Sequence, residues 1–110
     1  MHGESFNFGP DSLQIRSVDE VVKEMSKYWE KVKWKVNESS NRDFHESSLL
    51  KLNCDKASHY LNWHSCLSFG ETIKWTVGWY KSFFDNPQNI LYLSEKQINE
   101  YILLMKTVLN

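Results

Sequence analysis

His45-Glu46 is the polar pair in this sequence best placed to meet a ligand. A carboxylate accepts hydrogen bonds from ligand hydroxyls, and an imidazole beside it can donate or accept. The pair follows a polar loop and precedes an apolar run, a place where side chains tend to face clefts. Taken alone, the plainer reading is a solvated loop end. Other chemistry is missing. A dinucleotide site needs a Gly-rich turn between a strand and a helix, so that backbone amides can meet the pyrophosphate. Gly3, Gly9, Gly70 and Gly78 do not stand at that spacing, nor at that of a P-loop. His2, His45, His59 and His64 lack Cys or carboxylate partners at zinc-ligand spacing. No nucleophile elbow surrounds any Ser. Trp75 and Trp79 could form a sugar-stacking platform, but a four-residue helical step favours packing. His59 and His64 read as surface groups.

The elements that would position these residues follow from pattern. Phe6-Asn7-Phe8 alternates and ends at Gly9-Pro10, which predicts a short strand and a turn. A strand beginning so near the first residue, with no earlier strand to pair with, reads as cut from something longer. Ser17-Val18-Asp19-Glu20 is a capping box, and Val18, Val21, Val22, Met25, Trp29 and Val32 continue it as one helical stripe. Trp34-Lys35-Val36 reads as an edge strand, Asn37 to Asp43 as a loop, and Leu49 to Leu52 as another strand. Asn53 can cap a short helix from Cys54 to Leu61. A second capping box, Ser68-Phe69-Gly70-Glu71, opens a helix to about Phe84 that Asn86-Pro87 stops. A third, Ser94-Glu95-Lys96-Gln97, opens a last helix striped by Ile98, Tyr101, Ile102, Met105, Val108 and Leu109. The expected fold class is α+β, a small helix-rich lobe with short strands.

The chain has 110 residues, which points to one domain. Hydrophobic residues make up 41% and charged residues 25%, the balance of a globular protein rather than a disordered one. Net charge is -1 with both signs interspersed, so no basic stripe is present to hold nucleic acid. No apolar run approaches the roughly 20 residues that span a bilayer. The first residues, Met1-His2-Gly3-Glu4, carry no export pattern, so a cytoplasmic location and free thiols at Cys54 and Cys66 are expected. Aromatics reach 15%, with five Trp. That much ring area either packs a thick core or leaves a face for a partner.

Several stretches in order resemble a known family. They are Asn7-Phe8-Gly9-Pro10, His45-Glu46, Leu50 through Ala57, Leu61-Asn62-Trp63-His64, Thr72 through Tyr80, and Ser94 through Tyr101. Together they resemble the C-terminal end of an extended short-chain dehydrogenase/reductase acting on a nucleotide sugar. The Asn-Phe-Gly-Pro and His-Glu details are most similar to the CDP-glucose 4,6-dehydratase branch. Asn62 stands where that family usually has Gly, and Ser65 where it has Pro; Asn53 and Asp55 replace the usual Asp and Ser. The resemblance implies a single substrate-binding lobe over residues 1–110, without the Rossmann domain and without the catalytic Tyr and Lys. It implies no cofactor in this chain and NAD in the parent family. Asn7 matches a residue that contacts the nucleotide diphosphate. Glu46, with His45, matches the region reaching the ribose or base, and Arg42 is a possible phosphate partner. The implied partners are a nucleotide sugar of the CDP-glucose class and either a Rossmann domain or a second copy, met through exposed aromatics. The alternatives are a stand-alone nucleotide-sugar-binding or protein-interaction module, and the equivalent lobe of another nucleotide-sugar epimerase or dehydratase.

Overall fold

The computed structural model describes residues 2–10, 16–33, 49–50 and 52–109. Four α-helices dominate: α1 (Val18–Ser26), α2 (Asp55–Leu61), α3 (Phe69–Asp85) and α4 (Ile90–Leu109). Two strands, β1 (Arg16–Ser17) and β2 (Leu49–Leu50), pair antiparallel with Arg16 opposite Leu50 and Ser17 opposite Leu49. The helix-rich expectation therefore holds. The predicted edge strand at Trp34–Val36 and the loop after it lie outside the described residues.

The chain divides into two compact units, Met1–Lys23 with Trp34–Ser65, and Glu24–Lys33 with Cys66–Asn110. In the first unit, Phe6-Asn7-Phe8 is not a strand. Alternation alone predicts the pleat, but a strand needs a neighbour to accept its amides and carbonyls. Here side-chain contacts hold the segment instead. Lys56 Nζ donates to the Ser5 carbonyl at 2.9 Å, lies 3.8 Å from Glu4 Oε1, and sits 4.6 Å from the Phe6 ring centroid. Phe8 meets Trp63 edge to face, with centroids 5.1 Å apart. At the α1 start, the Glu20 amide donates to Ser17 Oγ at 3.1 Å, as the capping pattern predicts. The Glu20 carboxylate lies 3.5 Å from Arg16 Nε. The helix ends at Ser26, earlier than its apolar stripe, and Trp29 and Val32 follow in tight turns.

Helix α2 buries Ala57 completely and ends at Asn62, whose φ of 52° is left-handed. The amides of Asn62 and Trp63 both reach the Ala57 carbonyl. Asn tolerates this conformation better than other side chains, and Gly adopts it without strain. The Gly usual in the resembling family thus has a backbone reason. Asn62→Gly is expected to raise stability by up to about 1 kcal/mol, and Asn62→Val to lower it, read from urea midpoints.

The second unit is a hairpin of α3 and α4 joined by a 3₁₀ turn at Pro87–Asn89. The α3 capping box is complete: the Glu71 amide donates to Ser68 Oγ, and the Ser68 amide to Glu71 Oε1, both at 3.2 Å. These bonds, backbone first, hold the Glu71 carboxyl below its ordinary pKa. A depressed carboxylate contributes stability that is complete above its unfolded value and lost as pH falls through the lower folded value. Thermal unfolding of the wild type should therefore weaken through and below the ordinary carboxylate range, and Glu71→Gln should flatten that slope. Ser68→Ala should cost about 1 kcal/mol at neutral pH.

The predicted capping box at Ser94–Gln97 is not one. α4 already begins at Ile90, after Pro87 has opened the 3₁₀ turn, so Ser94 lies inside the helix. Its hydroxyl donates to the Ile90 carbonyl at 2.7 Å and accepts from Trp79 Nε1 at 2.8 Å. Gln97 Nε2 donates to the Trp75 carbonyl at 3.0 Å. Both residues tie α4 to α3, and Trp79 packs within the hairpin as its spacing predicts. Among the described residues Val77 is the buried side chain of this unit, 1% exposed.

Candidate functional site

The first unit carries a groove of about 360 Å³. Three short stretches make it: Gly9-Pro10, Leu52 to Asp55 with Ser58, and Trp63 to Ser65. Each is placed by a local rule. Pro10 ends the Phe-containing segment with a fixed φ. Asn53 Oδ1 accepts from the Asp55 amide at 2.8 Å and turns the chain into α2. Cys54 takes the N-cap position, so the sequence expectation for Asn53 is one residue off, while its side chain still serves the first turn. The left-handed Asn62 then turns Trp63, His64 and Ser65 back to the groove.

Gly9 lets the chain pass close to Leu52 and Cys54. A Cβ there would stand 3.2 Å from Leu52 Cδ2 and 3.5 Å from Cys54 Sγ. Leu52 is 45% exposed and can give way, so Gly9→Ala narrows the groove more than it strains the fold. The lining pairs one ring, Trp63, with hydrogen-bonding groups of Asn53, Asp55, Ser58, His64 and Ser65. Such a surface suits a small polar ligand with hydroxyls and a flat or apolar part. Cys54 and Cys66 are free thiols, and no His/Cys/Asp/Glu cluster able to hold a metal occurs among the described residues.

Of the sequence-predicted site residues, Asn7 lies in the same unit as this groove, near its edge. It is exposed, and its Nδ2 donates to the Asn53 carbonyl at 3.3 Å, linking the Asn-Phe-Gly-Pro segment to the α2 approach. Arg42, His45 and Glu46 lie outside the described residues. His59 and His64 are exposed as expected, but His64 also lines the groove, a role its surface character did not signal. Ser58, Trp63 and Ser65 went unmarked as well. The signal that could have found them was the family block itself, whose turns bring them together.

The glycines do not fit a dinucleotide. Gly70 and Gly78 lie inside α3, Gly9 precedes a proline, and Gly3 has a left-handed φ of 76° outside any strand-to-helix turn. Tyr92 and Lys96 stand four apart on α4, the spacing that short-chain dehydrogenases use for proton transfer. Both are exposed on a helix that no Gly-rich turn precedes, so that spacing is not read as an active site.

The second unit holds a different surface, an apolar hollow of about 380 Å³ lined by Met25, Trp29, Val32, Val77, Tyr80, Phe83 and Phe84. Trp29 and Phe84 meet with centroids 5.8 Å apart, and Lys31 Nζ stands 4.3 Å from the Phe84 centroid. Phe84 is 61% exposed, so part of this ring area stays uncovered. No helix among the described residues is long and apolar enough to cross a membrane.

No family model matches the chain, and no solved structure matches it. A comparison with curated proteins finds CDP-glucose 4,6-dehydratase of Salmonella typhimurium, 30% identical over 100 residues. The match covers 90% of this chain and 27% of that protein, so the chain spans about a quarter of its relative's length. The resemblance carried by the Asn-Phe-Gly-Pro and His-Glu stretches thus extends over nearly the whole chain: this sequence is similar to the C-terminal part of a CDP-glucose 4,6-dehydratase.

Proposed function

We propose that this chain is the nucleotide-sugar-binding part of an NAD-dependent CDP-glucose 4,6-dehydratase, inactive by itself. One observation carries the reading: similarity to that enzyme runs along 90% of the chain. The local geometry supports it. Asn7, the residue matched to diphosphate contact, is bonded to the Asn53 carbonyl. Asn53 in turn lines a groove with hydroxyl, imidazole and indole groups. In the parent reaction, C4 of the glucose is oxidised by NAD, water leaves across C5–C6, and hydride returns to C6. The described residues supply no cofactor cradle, so no step of that sequence is assigned to them. Their part is to bind and orient the nucleotide sugar, with Asn7 at the diphosphate, Arg42 as a phosphate partner, and His45 and Glu46 toward ribose or base. A second reading, a stand-alone binding or interaction module of cytoplasmic origin, draws on the exposed rings of the second unit.

Calorimetric titration tests the assignment. CDP-glucose should give saturable binding with Kd on the order of 1 mM, the weak class expected of a part-built site. dTDP- and GDP-sugars should bind at least ~10-fold more weakly, a difference of about 1.4 kcal/mol. Asn7→Ala should weaken CDP-glucose ~5-fold or more, the share of one polar contact. Heat with GDP- or dTDP-sugars and none with CDP-glucose would overturn the base assignment.

A further inference from the structure

Helix α4 leaves an aliphatic line uncovered beside its α3-facing side. Leu91, Ile98 and Ile102 are 69%, 59% and 42% exposed. At about 100° per residue the three fall within roughly 40° of arc, the width of a helix–helix seam, while the exposed Tyr92 and Leu103 lie about 100–120° around the helix from them. Ser94 and Gln97 bond toward α3 from an adjoining part of the helix, and Tyr101 and Met105 are half-buried. The line is therefore additional to the hairpin's own packing.

Its charges select a partner. Glu95 and Lys106 are exposed and lie on one flank of the line, nearly equidistant from residue 100. Two antiparallel copies related by a two-fold axis near residue 100 face each other through the same flank. Ile98 of one copy then meets Ile102 of the second, and Glu95 of one stands level with Lys106 of the second. A parallel pair would instead turn this flank toward the opposite one, that of Ser94, Tyr101 and Met105, and leave both charges without a counter-charge. We infer that α4 is a self-complementary surface that pairs with α4 of a second copy of this chain, antiparallel, with Ile98 and Ile102 at its centre. The aromatic hollow of the same unit is not the seam. One helix pair of this length buries less than about 1,200 Å², so the dimer belongs to the weak class, half-formed on the order of 100 μM.

Sedimentation of the full chain over a concentration series tests this, with circular dichroism to check that each variant keeps its helices. Wild type should dimerise, and Ile98→Glu should weaken the dimer at least ~10-fold, since two copies of a buried side chain are lost. Lys106→Glu should weaken it about 5-fold. Adding Glu95→Lys to it should restore the dimer to near wild-type strength. Phe84→Ser, in the aromatic hollow, should leave it unchanged. The inference is overturned by a monomer at all concentrations up to about 1 mM, or by a dimer indifferent to Ile98→Glu. A dimer that Phe84→Ser breaks, or a charge reversal that fails to rescue, overturns it equally. Ile98→Asn, a neutral change, separates loss of the seam from misfolding: it should also weaken the dimer while keeping helix content.

Discussion

Val77→Asp should unfold the α3–α4 hairpin or leave it barely stable, with a loss on the order of 3–5 kcal/mol. Val77 is 1% exposed, the largest fully buried side chain among the described residues, and it borders the hollow of Met25, Trp29, Tyr80, Phe83 and Phe84. A carboxylate there loses its hydration among rings and thioether, and that lining offers no cation within itself. Domains of this size are stable by only about 5–15 kcal/mol, so one such change takes a large share. Val77→Ala deletes two methyl groups and should cost about 1.5–2.5 kcal/mol, from transfer plus residual cavity. Val77→Ile should change little, because the adjoining hollow has room for one methylene. Urea unfolding followed by Trp fluorescence ranks the three, and an unchanged midpoint for Val77→Asp would show that this position is not core.

The second large effect is at Trp79. Its ring stacks on Phe83 with centroids 5.6 Å apart and planes 2° from parallel, and it meets Tyr80 edge to face at 5.1 Å. Its indole N–H donates to Ser94 Oγ, whose own proton goes to the Ile90 carbonyl. Trp79→Ala removes both the area and the bond, at an expected cost of about 3 kcal/mol, the low end for a ring because the site is only half-buried. Trp79→Phe keeps most of the area and removes the bond, for about 1 kcal/mol. Ser94→Ala should cost a similar amount. The double variant Trp79→Phe with Ser94→Ala should cost less than the two singles added, by about 0.5–1.5 kcal/mol. Strict additivity would mean that the indole and hydroxyl do not interact.

The most legible element in the sequence was α3. Ser68 and Glu71 close a complete capping box, and the apolar residues behind it keep helical step to the proline stop, so local and tertiary preferences agree. The same signature misled at Ser94. A Ser three residues before Gln marks a start only when the preceding residues cannot be helical, and Ile90 to Leu93 can be. Phe6-Asn7-Phe8 misled for the opposite reason: its alternation is real, but pleating needs a partner strand that the Lys56 and Trp63 contacts replace. β1 was missed because two residues carry no period. The family motif singles out Asn7, and the structure places it against the Asn53 carbonyl. The groove beside it was not legible, because Trp63, His64 and Ser65 join Gly9 and Ser58 in its lining only after the left-handed turn at Asn62.

Backbone NMR of the isotope-labelled full chain, titrated with CDP-glucose and in parallel with dTDP-glucose, puts the nucleotide-sugar assignment at greatest risk. The amides of Asn7, Asn53, Ser58 and His64 should shift progressively and saturate with CDP-glucose, and Asn7→Ala should blunt the response. Silence from those four amides up to about 10 mM CDP-glucose, or identical shifts with both sugars, would contradict the account.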